Sequence, residues 1–509
     1  MFKRLLSVGG FTLLSRITGF ARDILMAWIL GKGMWSDAFI VAFLFPNYFR
    51  AIFGEGTINP AFLPRYAALW AKGEHKAAAL FGDRVFSWQM AAQLVILVLA
   101  MIFMPWLVRL LAPGFADNPI QLALTVHLAR ITFPYLILTL VAVQLSAMLN
   151  AIEKFWAAAA WSNFLNLAMI ATLLAWRRFP NAAEGAAWGV LLGGLGQLFF
   201  MLWAAQREGV SLRIAWPRWT PEIREFFIAF GAVTVGAASV VIAPFIDTVL
   251  ASLLATGSRT ALYYADRINQ LPLGVLGIAV GTVLLPEMSA RLATGDRVGA
   301  DVAQNRAAAL SLLMTLPFAV AFVAIPQTIM RAVFAHGAFD THAADLSAIA
   351  LAAYGVGLPA MAFTRIAASS FYARHDTMTP ARITISAIAV NIALKLIFIW
   401  GLHLSIAGVA LGTALGAWVN VGLLIFFARR RELLRISPEF RRAIMPILLA
   451  AAATGAGALA AVALGNRFLH GAGGLHNAEL LGLAIVVASL AYAAIVFAFR
   501  RTLPLGRGA

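Results

Sequence analysis

Three arginines and three carboxylates stand in or beside the apolar runs of residues 12–65: Arg16, Arg22 and Arg50, against Asp23, Asp37 and Glu55. At the centre of a membrane helix each such charge costs roughly 2.5–3.5 kcal/mol, so these residues face a bundle interior or a wet cavity. A guanidinium stays charged at any working pH and offers five donors in a planar fork. That fork matches phosphate in bidentate fashion. The chemistry on offer is capture of an anion, such as a phosphate-bearing headgroup, within the membrane. The other reading of the same residues is that arginines and acids pair and hold helices in register. Arg16 and Asp23, seven residues apart, share a helix face but lie roughly 10 Å apart along the axis.

Further along, Asp266-Arg267 follows Tyr263-Tyr264 inside an apolar segment. Asp247 and Lys395 are also deep in apolar runs. They are read as a buried ion pair or as a coupling site for a cation or proton, and Lys395 would repel a cation there. Arg331 lies near a span end, where it can snorkel. The eight histidines show no metal-ligand spacing, and the absence of cysteine excludes thiolate sites and disulfides. No catalytic residue, metal or cofactor is expected.

The elements that must position these groups are membrane helices. Of the 509 residues 62% are hydrophobic and 12% charged, against about 45–50% and about 25% in soluble domains. Apolar stretches long enough to span a bilayer, about 20 residues each, recur from end to end. The fold class expected is all-α integral membrane, with fourteen transmembrane helices. They fall near 7–31, 35–62, 85–111, 121–149, 155–176, 185–206, 225–254, 260–287, 307–334, 345–373, 380–401, 405–428, 443–465 and 477–499. The second is interrupted at Gly54-Glu55-Gly56 and Asn59-Pro60, with Asn59 read as a cap before a restart. Broken helices at membrane depth are tolerated where they line a cavity. The net charge of +17 reflects basic cytoplasmic loops rather than nucleic-acid binding: with a cytoplasmic N-terminus, about 25 Lys and Arg fall on the cytoplasmic side and about 6 opposite. Both termini are then cytoplasmic.

A repeat runs at an offset of about 222 residues. Asn47 matches Asn269, Ala61-Phe62-Leu63-Pro64 matches Val283-Leu284-Leu285-Pro286, and Gly189 to Gly193 resembles Gly408 to Gly412 with a small gap. Six spans per repeat relate the halves by an axis along the membrane normal, as in transporters that bind substrate between halves. The domains expected are a six-helix lobe over 1–220, a second over 221–435, and two additional helices over 436–509. The pair Asp266-Arg267 falls where the first half has Leu44-Phe45, so the first lobe is the more basic wall.

The stretch Ser15-Arg16-Ile17-Thr18-Gly19-Phe20-Ala21-Arg22-Asp23 resembles the MurJ (MviN) family of lipid II flippases, in the MOP exporter superfamily. The likeness continues through Asp37-Ala38-Phe39, Pro46-Asn47-Tyr48-Phe49-Arg50, Phe53-Gly54-Glu55-Gly56, Tyr263-Tyr264-Ala265-Asp266-Arg267 and Gly281-Thr282-Val283-Leu284-Leu285-Pro286, and covers essentially the whole chain. It implies an alternating-access flippase in the bacterial inner membrane. Its cargo would be lipid II, an undecaprenyl-pyrophosphate-linked muropeptide, moved from the cytoplasmic to the periplasmic leaflet. The partners implied are lipid II, membrane lipid and cell-wall synthesis proteins. The resemblance also implies that Arg16, Arg22, Arg50 and Arg267 engage the pyrophosphate and that Asp23, Asp37 and Glu55 are polar positions of the same cavity, beside which Asp266 is read as a supporting residue. The last two helices would form a groove for the lipid tail.

Two departures stand out. Some members carry Lys where this chain has Leu44, so the cavity is one positive charge poorer. Some are proposed to bind sodium with an acid on the eleventh span, near where this chain has Lys395, which points to protons or membrane potential as the driving force. The nearest rival readings are exporters of the same fold for O-antigen lipid precursors or drugs. A cation–drug antiporter calls for an acid-dominated first lobe, whereas this one is arginine-rich. An enzyme acting on lipid pyrophosphate would need clustered acids or a metal site on loops, and a non-transporting scaffold would not need costly buried charges.

Overall fold

The computed structural model describes residues 2–55, 57–279, 283–469 and 474–503, the side chains of 2–8, 55, 235, 239, 240 and 275–279 excepted. Gly56 and Gly281-Thr282 lie outside the described residues, as does the side chain of Glu55. Every regular element described is helical. The chain forms two compact units, 1–260 and 261–509.

The first unit holds α1 (Phe2–Leu30), α2 (Met34–Arg50), α3 (Ile58–Ala71), α4 (His75–Leu111), α5 (Pro119–Thr132), α6 (Tyr135–Ala151), α7 (Phe155–Ala160), α8 (Ser162–Leu174), α9 (Ala182–Arg207) and α10 (Pro221–Ser252). A π-helical turn, Ala51–Glu55, joins α2 to α3. α11 (Ser258–Ala279) begins at the unit boundary. The second unit continues with α12 (Leu285–Ala293), α13 (Arg297–Ala324), α14 (Pro326–Phe334), α15 (Thr341–Tyr372), α16 (Met378–Leu396), α17 (Ser405–Arg430), α18 (Pro438–Phe468) and α19 (Gly474–Ala498). Within the first unit α1 packs on α7 and α8, and α10 on α3 and α4. Within the second, α15 packs on α17 and α18 on α19.

Helices stand at all fourteen expected segments. Among the described residues, eleven helical stretches are long and apolar enough to cross a membrane. The number is twelve when the arms of α10, bent by 43° between Ala238 and Val241, count as one span. α1 and α11 are not among them. These two carry Arg16, Arg22 and Asp23, and Arg259, Asp266 and Arg267, so their charges lower the apolarity that the other stretches keep.

The duplication is written in the helix boundaries. α4, α5 and α9 start at 75, 119 and 182, and α13, α15 and α17 start at 297, 341 and 405. Backbone conformation repeats too. Gly73 and Gly295 have φ of 76° and 81°, and Glu153 and His375 have φ of 61° and 62°.

The glycines set the register. Gly185, Gly189 and Gly193 lie along α9 as Gly408, Gly412 and Gly416 lie along α17. A Cβ on Gly189 would lie 2.2 Å from Thr172 Oγ1, and one on Gly412 would lie 2.3 Å from Lys395 Cγ. Thr172 and Lys395 therefore occupy equivalent places on α8 and α16. The match of Gly189 with Gly408 is thus one helical turn short, and Gly189 corresponds to Gly412, at the offset of 223 that also relates the starts of α9 and α17. In lipid, where helix association relies on close van der Waals packing, such small residues let backbones approach.

Replacing Gly193, whose Cβ would lie 2.8 Å from the backbone Cα of Leu165, by Leu should destabilise the protein by at least the roughly 1–3 kcal/mol typical of overpacking. Gly422→Leu, at a position with open space, should be near neutral. Thermal unfolding of the purified protein in detergent checks this. Equal melting of the two variants would contradict the seam.

Candidate functional site

α1 presents its ionic residues in two different ways. Arg16 is exposed. Arg22 and Asp23, six and seven residues further, are 7% and 3% exposed. The Arg22 fork closes on its neighbour, with Nε and Nη2 donating to Asp23 Oδ1 at 3.0 and 2.7 Å. Nη1 donates to Asn166 Oδ1 of α8 at 2.9 Å. The amide of Asn166 in turn donates to Ser15 O at 3.0 Å and to Thr18 Oγ1 at 3.1 Å. Ser162 Oγ donates to Ser15 Oγ at 2.9 Å. A polar seam between α1 and α8 thus holds Arg22 at membrane depth with its charge compensated. Asn166 and Ser162 were not singled out in the sequence. The available signal was three polar residues, Ser162, Asn163 and Asn166, spaced along one face of a short apolar helix.

Arg50 is the last residue of α2, half-buried, just before the π-helical turn. Gly54 breaks that turn with non-helical angles (φ −101°, ψ −106°), and a Cβ there would lie 2.9 Å from Leu140 of α6. The expected interruption is therefore present, but the restart differs. Thr57 rather than Asn59 stands at the head of α3, and its hydroxyl donates back to Ile52 O instead of capping the helix. Such π-helical insertions recur at functional sites.

Asp37 is 1% exposed in the first turn of α2. It does not pair with an arginine of α1 or α2 in the described geometry. Its carboxylate accepts from the start of α11: Gly257 N at 2.5 Å, Thr260 N at 2.8 Å and Thr260 Oγ1 at 2.5 Å. Arg259 adds a favourable charge nearby. A carboxylate on the free N–H groups of a helix N-terminus is electrostatically matched. Asp37 is thus a clasp between α2 and the loop that follows α10. It borders a cavity of about 260 Å³, which Asn118, Gln121 and residues 251–256 also line.

Tyr48 of α2 shares a hydrogen bond with Thr248 of α10 at 3.2 Å, and its ring meets Phe245. Asp247 and Arg259 both lie close enough to act electrostatically on the Tyr48 hydroxyl. Arg259, not singled out in the sequence, is therefore a further cation beside Asp37 and Tyr48. Its position at the head of a helix, in Ser258-Arg259-Thr260, was the available cue.

In the second unit Arg267 is half-buried, with its guanidinium carbon 4.5 Å from the centre of the Tyr263 ring and Nη2 donating to Tyr263 Oη at 3.0 Å. Asp266 accepts from Gln270. Lys395 is fully buried in α16, its stem against Gly412 of α17. Among the described residues no group of three or more His, Asp or Glu side chains could hold a metal ion.

Residues 26–478 match the family model "Lipid II flippase MurJ". The chain belongs to the MurJ lipid II flippase family. It is 38% identical over 98% of its length to a probable lipid II flippase MurJ of Rhizobium tropici, covering 94% of that protein. It is 30% identical to the lipid II flippase MurJ of Burkholderia cenocepacia, over 89% of this chain and 88% of that one. A solved lipid II flippase MurJ in an inward-closed conformation superposes with a TM-score of 0.81 at 24% identity, covering 97% of this chain and 99% of that one. An inward-facing multidrug transporter of the MATE family, in the MOP superfamily, superposes with a TM-score of 0.69 at 16% identity over 84% of this chain and 97% of its own. Both structures share the fold, and family membership makes this a multi-pass membrane transport protein.

Asp37→Ala leaves the Gly257 and Thr260 donors without their acceptor, at roughly 1–3 kcal/mol for each buried group left unsatisfied. The variant should melt well below wild type in detergent, with Asp37→Asn, which keeps one acceptor oxygen, in between. Unchanged melting of Asp37→Ala would contradict the clasp.

Proposed function

We propose that this chain carries lipid II across the bacterial inner membrane, from the cytoplasmic to the periplasmic leaflet, with Arg16, Arg50 and Arg267 engaging the pyrophosphate. The observation that carries this reading is the exposure of Arg16 on α1, in the arginine-bearing stretch by which the chain resembles its family. An exposed guanidinium there offers the planar fork of donors that matches a phosphate. Arg22 serves the same site as a positioning charge, because its fork is engaged by Asp23 and Asn166.

The transport cycle we propose is alternating access by two duplicated six-helix lobes, over 1–220 and 221–435, with both termini cytoplasmic. The recurring helix starts support this reading. The headgroup enters from the cytoplasmic side, the lobes rock, and the tail remains in lipid, since exposing each methylene to water costs about 0.8 kcal/mol. The cargo must bind the closing state more tightly than the open one, or it shifts nothing. Residues 436–509 add the tail groove in this scheme. Asp247 and Lys395 are the candidate coupling residues, and a fixed ammonium at Lys395 disfavours a bound sodium ion there.

The test is complementation of a bacterium depleted of its own flippase, with membrane levels matched. Wild type should rescue growth, and Arg16→Ala, Arg50→Ala and Arg267→Ala should each lower rescue by at least tenfold in plating efficiency. Arg22→Ala should fail together with Asn166→Ala if the α1–α8 seam positions the site. Alanine variants that rescue as well as wild type would reduce the arginines to structural pairs. A well-expressed wild type that fails to rescue would shift the cargo to another polyprenyl-linked or drug-like compound.

A further inference from the structure

The segment between α9 and α10 is an extended strap that crosses the start of α4. Residues 210–220 have no regular secondary structure, yet they are tied down at regular intervals. Arg213 N donates to Asp83 Oδ1 at 2.8 Å, and Ala215 N to Ser87 Oγ at 2.9 Å. Further along, Trp88 Nε1 approaches Arg218 O at 3.5 Å, and the Trp219 ring packs on Trp88 and Phe227. In an extended segment residues two apart share a face, so Ile214 and Trp216 lie on the same side of the strap.

The outward residues are Ile214 and Trp216. At 83% and 81% they are the two most exposed large apolar side chains among the described residues. They exceed even the outward residues of the spanning helices, which need a lipid neighbour. Arg213 and Arg218 flank them, also exposed. The acid at the head of the segment, Glu208, is occupied by Lys154 at 2.7 Å. The strap is therefore a short apolar ridge inside a basic frame.

We propose that this strap lies in the membrane interface and binds the anionic lipid surface, with Ile214 and Trp216 set among the upper acyl chains and Arg213 and Arg218 on lipid phosphates. Position supports a lipid occupant. The strap joins the ends of two membrane-spanning helices and is tied to α4 at Asp83 and Ser87, about two to three turns before the apolar run that follows Gln93. The ridge is thus continuous with lipid-facing surface. Tryptophan is the residue enriched at that depth, and each basic side chain near an anionic leaflet adds to attraction. The strap also bridges the end of one repeat and the start of the next. Anchoring it to lipid would give α10 a fixed foot on the membrane surface.

The chain has no cysteine, so single thiols can be placed without background. Ile214→Cys and Trp216→Cys carry a nitroxide label in the full-length protein. The protein is reconstituted into bilayers of zwitterionic lipid with and without phosphatidylglycerol. Glu74→Cys, in the exposed turn between α3 and α4, is the aqueous reference. Collision with dissolved oxygen and with a water-soluble nickel chelate reports depth. The ratio of oxygen to nickel collisions should be at least threefold higher at 214 and 216 than at 74. It should rise with phosphatidylglycerol and lose that rise in an Arg213→Gln, Arg218→Gln background. A ratio at both sites equal to that at 74 places the strap in water and overturns the proposal. Protection from both reagents would show a protein cover and would overturn it too.

Discussion

A charged side chain inside a membrane helix must be compensated where it stands, and the structure of this protein follows from that requirement. α1 would be an ordinary span without its arginines. With them it needs a polar companion, and α8 supplies one through Ser162 and Asn166. The Arg22 fork reaches sideways to the adjacent Asp23 rather than along the helix. Asp37 shows the same rule with opposite sign, since a buried carboxylate at the head of α2 draws in the free N–H groups that open α11. Each compensated charge also fixes a contact between elements far apart in sequence.

The second requirement is close approach. α8 and α16 press against α9 and α17 through glycines at equivalent positions in the two repeats. Duplication preserved this seam while the residues packed into it diverged: Thr172 in one unit, Lys395 in the other. A buried lysine side chain now occupies a place where the first repeat has a threonine. The two halves therefore share a scaffold and differ in chemistry.

Much of this was legible in the sequence, and the exceptions have physical causes. Apolar length located the eleven or twelve stretches able to cross a membrane among the described residues, because bilayer thickness sets a narrow range of lengths. The apolarity test stops short at α1 and α11 for the reason that made those segments interesting, their charges. The register of the glycine match slipped by one turn because three glycines spaced by four residues look alike after a shift of four. Pairing of the arginines with the acids was open in the sequence, but the contact of Arg22 with Asn166 beside Asp23, and of Asp37 with Gly257 and Thr260, was not legible there. The first depends on side-chain reach and on Asn166 some 144 positions away, the second on contacts 220 and 223 residues apart. The packing boundary at residue 260 was equally hidden, since α10 begins the second repeat yet packs on α3 and α4.

The central claim is that the arginines recognise the pyrophosphate of the cargo. Its most direct test is the affinity of the purified protein for undecaprenyl pyrophosphate and for undecaprenol, which differ only in that group. We expect the pyrophosphate to bind at least tenfold more tightly, equivalent to about 1.4 kcal/mol, and the difference to shrink in Arg16→Ala and Arg50→Ala. Equal affinity for the alcohol in the wild-type protein would contradict the account.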